Sequence, residues 1–213
     1  MKVRVLVVDD HEVLRQGLVT VLTSDDQIEV IGQATDGPEA VRLAQRLRPD
    51  VVLMDVEMAG GDGISATREI TAALPDTRVL VLTMFDLDEY VVEALRAGAS
   101  GYLLKTTPPA DLLRAVSACA QGQSTIASHV LERVVRPLLG APQEPVPGLA
   151  DLTDRELDVL RSLAAGRSNA EISRELYLAE TTVKTHVAHI LTKLGVRDRL
   201  QAAVAAHRAG LLS

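Results

Sequence analysis

VRVLVVDD, residues 3–10, is a short, largely apolar run that ends in two adjacent aspartates. Four more apolar runs occur within the first 121 residues, at 28–34, 51–54, 78–82 and 101–104. The segments between them carry apolar residues at helical spacing, with glycine or proline at many boundaries. This alternation predicts an α/β domain over residues 1–121, in which helices cover both faces of a five-stranded parallel sheet.

The rest of the chain has a different pattern. Residues 122–148 contain four prolines (Pro137, Pro142, Pro145 and Pro147), so we interpret this segment as a linker in which residues 130–139 could form a short helix. From 149 to 213 no strand pattern remains, which predicts a small all-α domain.

Helix starts in the C-terminal segment are marked by capping residues. Thr153 with Glu156, and Ser168 with Glu171, have the spacing of capping boxes. They predict one helix that begins at about residue 154 and a second over about 169–176. Two further helices are expected at about 180–194 and 198–208, which makes four in all.

Charge is distributed unevenly along the chain. The formal net charge is −7; residues 1–121 hold 11 basic and 19 acidic side chains, whereas residues 149–213 hold 9 and 8. DNA binding is therefore expected only through the C-terminal part. No run approaches the roughly 18 apolar residues of a membrane span, and no signal-peptide pattern occurs, so we expect a cytoplasmic protein without a membrane partner. The single cysteine, Cys119, excludes an internal disulfide.

Polar side chains follow four of the predicted strands. Asp9 and Asp10 follow the first, Asp55 the third, Thr83 the fourth and Lys105 the fifth. Ligands of open parallel sheets bind beyond these carboxyl ends. Three carboxylates and one lysine carry a formal charge of −2, which one divalent cation would cancel, and an all-oxygen site suits Mg²⁺. The set predicts phosphoryl transfer to Asp55, with Thr83 and Lys105 binding the transferred oxygens.

The motifs at residues 7–10, 53–55, 81–83 and 101–105 resemble those of bacterial response-regulator receiver domains. The resemblance covers about residues 1–121 and implies a flavodoxin-like sheet of strand order 2-1-3-4-5. It implies a sensor histidine kinase as phosphodonor. It also implies Mg²⁺ bound by Asp10, Asp55 and the Glu57 backbone carbonyl, with Asp9 assisting.

Three further positions take their meaning from this resemblance. Tyr102 matches the family's switch residue, whose ring turns inward as the threonine of the site moves toward the phosphoryl group. Ala59 and Thr106 depart from the family pattern, which commonly has proline at both places. The departures bear on loop rigidity and phosphoryl lifetime, since neither removes a reacting group.

The helix predicted at 180–194 has two distinct faces at 100° per residue. One is apolar and carries Val183, Val187, Ile190, Leu191 and Leu194. The other carries Thr181, Thr185, Ala188, His189 and Thr192, with Lys184 and Lys193 on the flanks. A polar face of small residues suits entry into the major groove of DNA.

Residues 152–156, 163–172 and 182–187 resemble the LuxR-type helix-turn-helix, and this resemblance covers about residues 149–213. Together with the receiver resemblance it implies the architecture of the NarL/FixJ subfamily of response regulators. The resemblance implies contacts to promoter DNA, with Lys184, Thr185 and Ala188 facing bases and Thr182 and Lys193 facing phosphates. Ala179 replaces the serine cap common in the family, which should weaken the start of this helix by about 1 kcal/mol.

The expected function is a DNA-binding transcriptional regulator, not a turnover enzyme. Phosphorylation of Asp55 is expected to shift dimerisation or domain arrangement and to raise promoter binding. We expect a homodimer on DNA, because one C-terminal domain carries little positive charge; Leu200, Ala203, Val204 and His207 of the last helix could form the pairing surface.

Two alternatives stay open at this point. A phosphatase or mutase on a similar sheet would need a second aspartate two residues after the nucleophile, where Glu57 stands. The second alternative is a regulator that binds DNA or a partner protein without needing phosphorylation. The complete set of residues at the strand ends argues against it: Asp9, Asp10, Asp55, Thr83 and Lys105.

Overall fold

The computed structural model describes residues 2–58, 63–84, 88–123 and 146–211. The chain divides into two compact units, residues 1–125 and 126–213. The helix predicted at 130–139, and Ala59, lie outside the described residues. Among the described residues, no helix combines the length and apolar character needed to cross a membrane.

Strands and helices alternate through the first unit. The strands are β1 (Val3–Val8), β2 (Ile28–Ala34), β3 (Val51–Asp55), β4 (Arg78–Thr83) and β5 (Gly101–Leu104). The helices are α1 (Glu12–Thr23), α2 (Gly37–Leu47), α3 (Gly63–Ala73), α4 (Asp88–Arg96) and α5 (Pro109–Ala120). The predicted strand positions are confirmed, with β3 and β4 each one residue longer than expected.

All five strands are parallel, in the order β2-β1-β3-β4-β5. This is the predicted order. The three central strands have almost fully buried sequences because helices cover both faces of the sheet. The order brings the carboxyl ends of β1, β3, β4 and β5 next to one another, which is where the predicted site residues lie.

The second unit is helical in its described part. A short 3₁₀ helix, Leu149–Asp151, precedes α6 (Asp154–Ala164), α7 (Asn169–Leu176), α8 (Glu180–Leu194) and α9 (Arg199–Arg208). Both predicted capping boxes are present, at Thr153 with Glu156 and at Ser168 with Glu171. The four predicted helices are confirmed, and α9 begins one residue later because the Asp198 carboxylate caps it through the Gln201 amide.

Candidate phosphoacceptor site and DNA-binding helix

A lysine bridge forms the centre of the site at the sheet edge. The Lys105 ammonium lies 2.7 Å from Asp9 Oδ2 and 2.7 Å from Asp55 Oδ2, and all three side chains are buried. The Glu57 amide donates a 3.1 Å hydrogen bond to Asp55 Oδ1, so both oxygens of Asp55 are oriented. The structure therefore brings together residues that are 46 to 96 positions apart in the chain.

Thr83 ends β4 and Tyr102 lies within the neighbouring strand β5, where it pairs with Val81. Thr83 is fully buried at the end of β4, paired with Leu104 of β5, and its carbonyl accepts a 2.7 Å hydrogen bond from the Lys105 amide. The Tyr102 ring is buried, with only 6% of the residue exposed. Thr83 thus lies at the carboxyl edge of the sheet with the bridge, and Tyr102 is buried within the adjacent strand.

His11 and Arg15 are parts of the site that the sequence interpretation missed. His11 Nδ1 lies 2.7 Å from Asp10 Oδ1, and the His11 amide donates to Asp9 Oδ1 at 2.8 Å. Arg15 Nη1 donates a 2.7 Å hydrogen bond to the Asp9 carbonyl. Adjacency to the aspartate pair was an available signal for His11. Arg15 had none, because a charged residue on a predicted helix is ordinarily interpreted as exposed.

Burial and hydrogen bonding have opposite effects on the pKa values of Asp55 and Lys105. Burial raises the pKa of Asp55, and the hydrogen bonds from Lys105 and the Glu57 amide only partly offset it. Burial acts to lower the pKa of Lys105, yet hydrogen bonds to Asp55 and Asp9 outweigh it, and the net direction is upward. The ammonium form of Lys105 is therefore favoured beside the two carboxylates.

The carboxylates of this edge have the composition of a divalent-cation site. Ligand atoms of Asp9, Asp10, His11 and Asp55 lie within 4.8 Å of one another. Asp10 is partly exposed, His11 is exposed, and Asp9 and Asp55 are buried. A set dominated by carboxylate oxygens and open to water on one side fits Mg²⁺, which prefers oxygen ligands and keeps several waters.

The helix predicted to enter DNA has the expected faces. Val183, Ile190 and Leu194 are buried, and Val187 and Leu191 are half-buried. The predicted DNA-facing residues are exposed: Thr181, Thr182, Lys184, Thr185, Ala188, His189 and Lys193. Ala179 occupies the N-cap position of α8, where its methyl side chain cannot form a capping hydrogen bond. Helical periodicity therefore predicted which side of α8 is exposed, and Thr182, which only the family resemblance indicated, is exposed as well.

Two basic residues near α8 are held by groups of the same domain. Lys193 Nζ lies 2.7 Å from Glu156 Oε2. The Arg199 guanidinium donates to Asn169 Oδ1 at 2.9 Å and to the Arg167 carbonyl, and burial lowers its pKa to about 10. The Arg199 guanidinium therefore holds α9 against the start of α7, which leaves less of its charge available to DNA than the sequence alone suggests.

The last helix also differs from expectation. Leu200, Ala203, Val204 and His207 are all buried, and His207 Nε2 lies 3.2 Å from the Ala164 carbonyl of α6. The interpretation of these four residues as an exposed pairing surface is wrong for this structure. Their helical spacing reflects packing inside the chain, which periodicity alone cannot separate from packing between chains.

Comparison with known proteins gives two family matches that together span most of the chain. Residues 5–117 match the model of the response regulator receiver domain, and residues 150–206 match that of bacterial regulatory proteins of the luxR family. The transcriptional regulatory protein LiaR of Bacillus subtilis is 46% identical over 211 residues, which is 99% of this chain and all of LiaR.

A second sequence relative and a solved structure are similar to this chain over nearly its whole length. The DNA-binding transcriptional activator DevR/DosR of Mycobacterium tuberculosis is 40% identical, covering 95% of this chain and 93% of its own. Among solved structures, the response regulator ChrA of a heme-sensing two-component system is 37% identical, with a TM-score of 0.53 and 99% of both chains covered.

Proposed function

Because the chain belongs to the response-regulator family and joins a receiver domain to a LuxR-type DNA-binding domain, we propose that phosphorylation of Asp55 controls DNA binding through α8. The protein is a two-component transcriptional regulator and not a turnover enzyme. We assign the receiver to residues 1–121, the linker to 122–148 and the DNA-binding domain to 149–213. A cytoplasmic location follows from the DNA partner.

The observation that carries the phosphoacceptor assignment is the bridge from Lys105 to Asp9 and Asp55 at 2.7 Å each. Lys105 can follow the developing negative charge from the Asp55 carboxylate to the transferred phosphoryl oxygens without a large movement. Thr83, at the end of the adjacent strand, is the proposed hydroxyl donor to one of those oxygens. Tyr102 is the proposed switch residue because it lies on the neighbouring strand.

The transfer is a substitution at phosphorus. An Asp55 carboxylate oxygen attacks the phosphohistidine of the sensor kinase, the P–N bond breaks, and the imidazole leaves with the electron pair. Asp9, Asp10, Asp55 and the Glu57 carbonyl would hold Mg²⁺, which when bound supplies positive charge to the phosphoryl oxygens. The Glu57 amide keeps the acceptor carboxylate oriented.

The DNA-binding residues are proposed from the exposed face of α8. Lys184, Thr185 and Ala188 are assigned to base edges, and Thr182 and Lys193 to phosphates; Thr181 and His189 extend the same face. We propose that two copies bind together, because intramolecular partners of Lys193 and Arg199 leave one domain with little free positive charge. Footprinting should show two half-sites in near-palindromic arrangement, and one unrepeated half-site protected at full affinity would contradict this.

Phosphorylation is tested on the full chain with Mg²⁺ and acetyl phosphate, measuring intact mass. Wild type should gain one phosphoryl group and Asp55→Asn none, since an amide oxygen is a poor nucleophile. Asp36→Asn is a matched control because asparagine also caps α2, and it should be labelled as wild type. Full labelling of Asp55→Asn at the wild-type rate would reject the assignment.

A further inference from the structure

A buried carboxylate lies behind the DNA-facing side of α8. Glu156, in the first turn of α6, is only 4% exposed and completes the capping box of that helix. Its Oε2 accepts hydrogen bonds from the Thr153 amide at 2.8 Å and the Thr153 hydroxyl at 2.9 Å. The Glu156 amide in turn donates to Thr153 Oγ1 at 3.3 Å, which completes the capping box, so any further partner of Glu156 is additional to the helix cap.

Two residues of the proposed DNA-binding set are these further partners. Lys193 Nζ binds Glu156 Oε2 at 2.7 Å, and His189 Nδ1 lies 3.8 Å from Glu156 Oε1. The Lys193 side chain is one-third exposed, so its ammonium faces the carboxylate on one side and solvent on the other. Glu156 thus joins the start of α6 to the last turn of α8, 37 residues away.

Lys184, on the opposite flank of α8, has a different environment. Its Nζ is 3.8 Å from Glu180, its side chain is 65% exposed, and Glu180 is itself half exposed. A solvent-exposed pair of this kind is weak and is screened by salt. A short pair with a buried carboxylate is screened much less. The positive charge of Lys193 is therefore offset more strongly by its glutamate than that of Lys184 is.

We propose that Glu156 is a positioning residue for DNA binding, which holds Lys193 in place and offsets its charge so that this lysine contributes orientation more than phosphate affinity. The inference rests on the proposed function, since it assumes that α8 binds DNA. Its consequence is weaker attachment to DNA of any sequence, because sequence-independent affinity comes from phosphate charge neutralisation. Base contacts on the face of α8 then account for a larger share of binding.

Salt dependence measures this directly. Each phosphate neutralised on duplex DNA contributes about 0.9 to the slope of log affinity against log salt. Lys193→Gln should lower the slope by less than half of the 0.9 per bound copy that is expected of a lysine that fully neutralises one phosphate. This comparison needs no change at Glu156 and therefore does not depend on the folding of a Glu156 variant.

A double-mutant cycle tests the role of Glu156 in the full chain, using a short duplex of mixed sequence. Glutamine can replace glutamate in a capping box, so Glu156→Gln should keep α6 capped while removing the charge that opposes Lys193. Affinity for this duplex should rise about three- to tenfold per bound copy at moderate salt. In this background Lys193→Gln should lower the slope by the full amount, about 0.9 per copy.

The second capping box supplies a matched control. Glu171 binds the Ser168 amide and hydroxyl at 2.7 Å each, as Glu156 binds Thr153, and it lies on α7. Glu171→Gln removes the same formal charge from the same local motif. Lys193→Gln should then have the small effect that it has in wild type, which separates a local action of Glu156 from a change in net charge.

Outcomes distinguish this inference from the function on which it rests. Equal slope changes for Lys193→Gln in wild type and in Glu156→Gln would overturn the inference and leave DNA binding by α8 standing. So would a full slope change of about 0.9 per bound copy for Lys193→Gln in the wild-type background. If the wild-type chain shows no salt-dependent binding to any duplex while remaining folded, the proposed function itself fails and the inference fails with it.

Discussion

Gly63 lies directly behind the proposed phosphoacceptor. A Cβ at this position would lie 2.0 Å from the Asp55 carbonyl oxygen and 2.9 Å from Val56 Cα. Both contacts are to backbone, which cannot move aside as the end of a flexible side chain can. Only glycine allows α3 to begin this close to the end of β3, so a residue without a reactive group determines where Asp55 is held.

Gly63→Ala should therefore lower the free energy of unfolding by about 1–3 kcal/mol and slow labelling by acetyl phosphate. Gly17→Ala is the matched control, because Gly17 lies inside α1 with no atom within 4 Å of an added Cβ. It should leave labelling unchanged and stabilise by about 1 kcal/mol through helix propensity. Chemical denaturation and labelling rates check both; a Gly63→Ala protein as stable and as reactive as wild type would contradict the close packing.

Glu156 makes the free energy of unfolding of the C-terminal unit depend on pH in the acidic range. The hydrogen bond from Lys193, followed by that from the Thr153 amide, lowers the pKa of Glu156 from 4.5 to about 2. An acid with a lowered folded-state pKa stabilises fully above its unfolded value, and this stabilisation is lost as pH falls from about 4.5 toward 2. We expect a contribution of about 1–2 kcal/mol, after allowance for solvent screening at Lys193.

The measurement is the difference in unfolding free energy between wild type and Glu156→Gln at neutral pH and near pH 3, the latter between the two pKa values. The difference should be clear at neutral pH and smaller near pH 3, because the Glu156 carboxyl is then protonated in unfolded wild type and still largely ionised in the folded protein, so that unfolding takes up a proton. Other carboxylates titrate in both proteins and cancel in the comparison. A difference that does not change with pH would show that Lys193 does not stabilise the ionised form.

At the scale of elements, the packing around α8 begins before the first α-helix of the domain. Gly148 has a left-handed φ of 75°, and a Cβ there would lie 1.8 Å from the Lys193 carbonyl. The 3₁₀ helix that follows, Leu149–Asp151, packs near the same end of α8. The residue predicted to end the linker is therefore in close contact with the end of α8, the proposed DNA-binding helix.

Gly148→Ala should destabilise the C-terminal unit and weaken DNA binding by displacing the end of α8. Gly195→Ala is the matched control: Gly195 also has a left-handed φ, 64°, and nothing lies within 4 Å of its added Cβ. Both variants incur the cost of left-handed alanine, about 1–2 kcal/mol, and only Gly148→Ala adds a collision. The melting temperature of Gly148→Ala should be lower than that of Gly195→Ala. Equal melting temperatures would contradict the close contact between Gly148 and the Lys193 carbonyl.

At the scale of the whole molecule, the charge of the receiver limits how phosphorylation can act. Residues 1–121 carry 11 basic and 19 acidic side chains, so an added phosphoryl group would only increase repulsion if this domain approached DNA. An increase in affinity must then come from a change in domain arrangement or pairing. A tenfold increase needs only about 1.4 kcal/mol of differential stabilisation. We expect the Tyr102 side of the receiver, near 87–97 and 108–120, to transmit it; residue 87 lies outside the described part.

Three samples test this coupling at fixed salt: unphosphorylated chain, phosphorylated chain and a fragment of residues 126–213, which form a compact unit. Phosphorylation should raise DNA affinity by about tenfold, and Asp55→Asn treated with acetyl phosphate should behave as unphosphorylated chain. The DNA affinity of the fragment should differ from that of the unphosphorylated chain, because the fragment lacks the receiver. Identical affinities across all samples would rule out regulation of DNA binding by the receiver.

Local patterns in the sequence were sufficient for most of the architecture. Alternating apolar runs predicted the five strands, since a buried strand needs a continuous apolar segment. The Thr153 and Ser168 capping boxes predicted two helix starts, because a cap is formed within four residues. The same holds for the faces of α8, where a repeat of 3.6 residues decides which side chains turn outward.

Contacts between distant residues were decided only by the tertiary structure. The bridge from Lys105 to Asp9 was expected from strand ends, but the Arg15 bond to the Asp9 carbonyl and the burial of α9 were not. The Lys193 ion pair with Glu156 likewise has no local signal, because each residue fits a simpler role in its own helix. Periodicity reports which face of a helix is apolar or polar, and only the fold determines which partner meets that face.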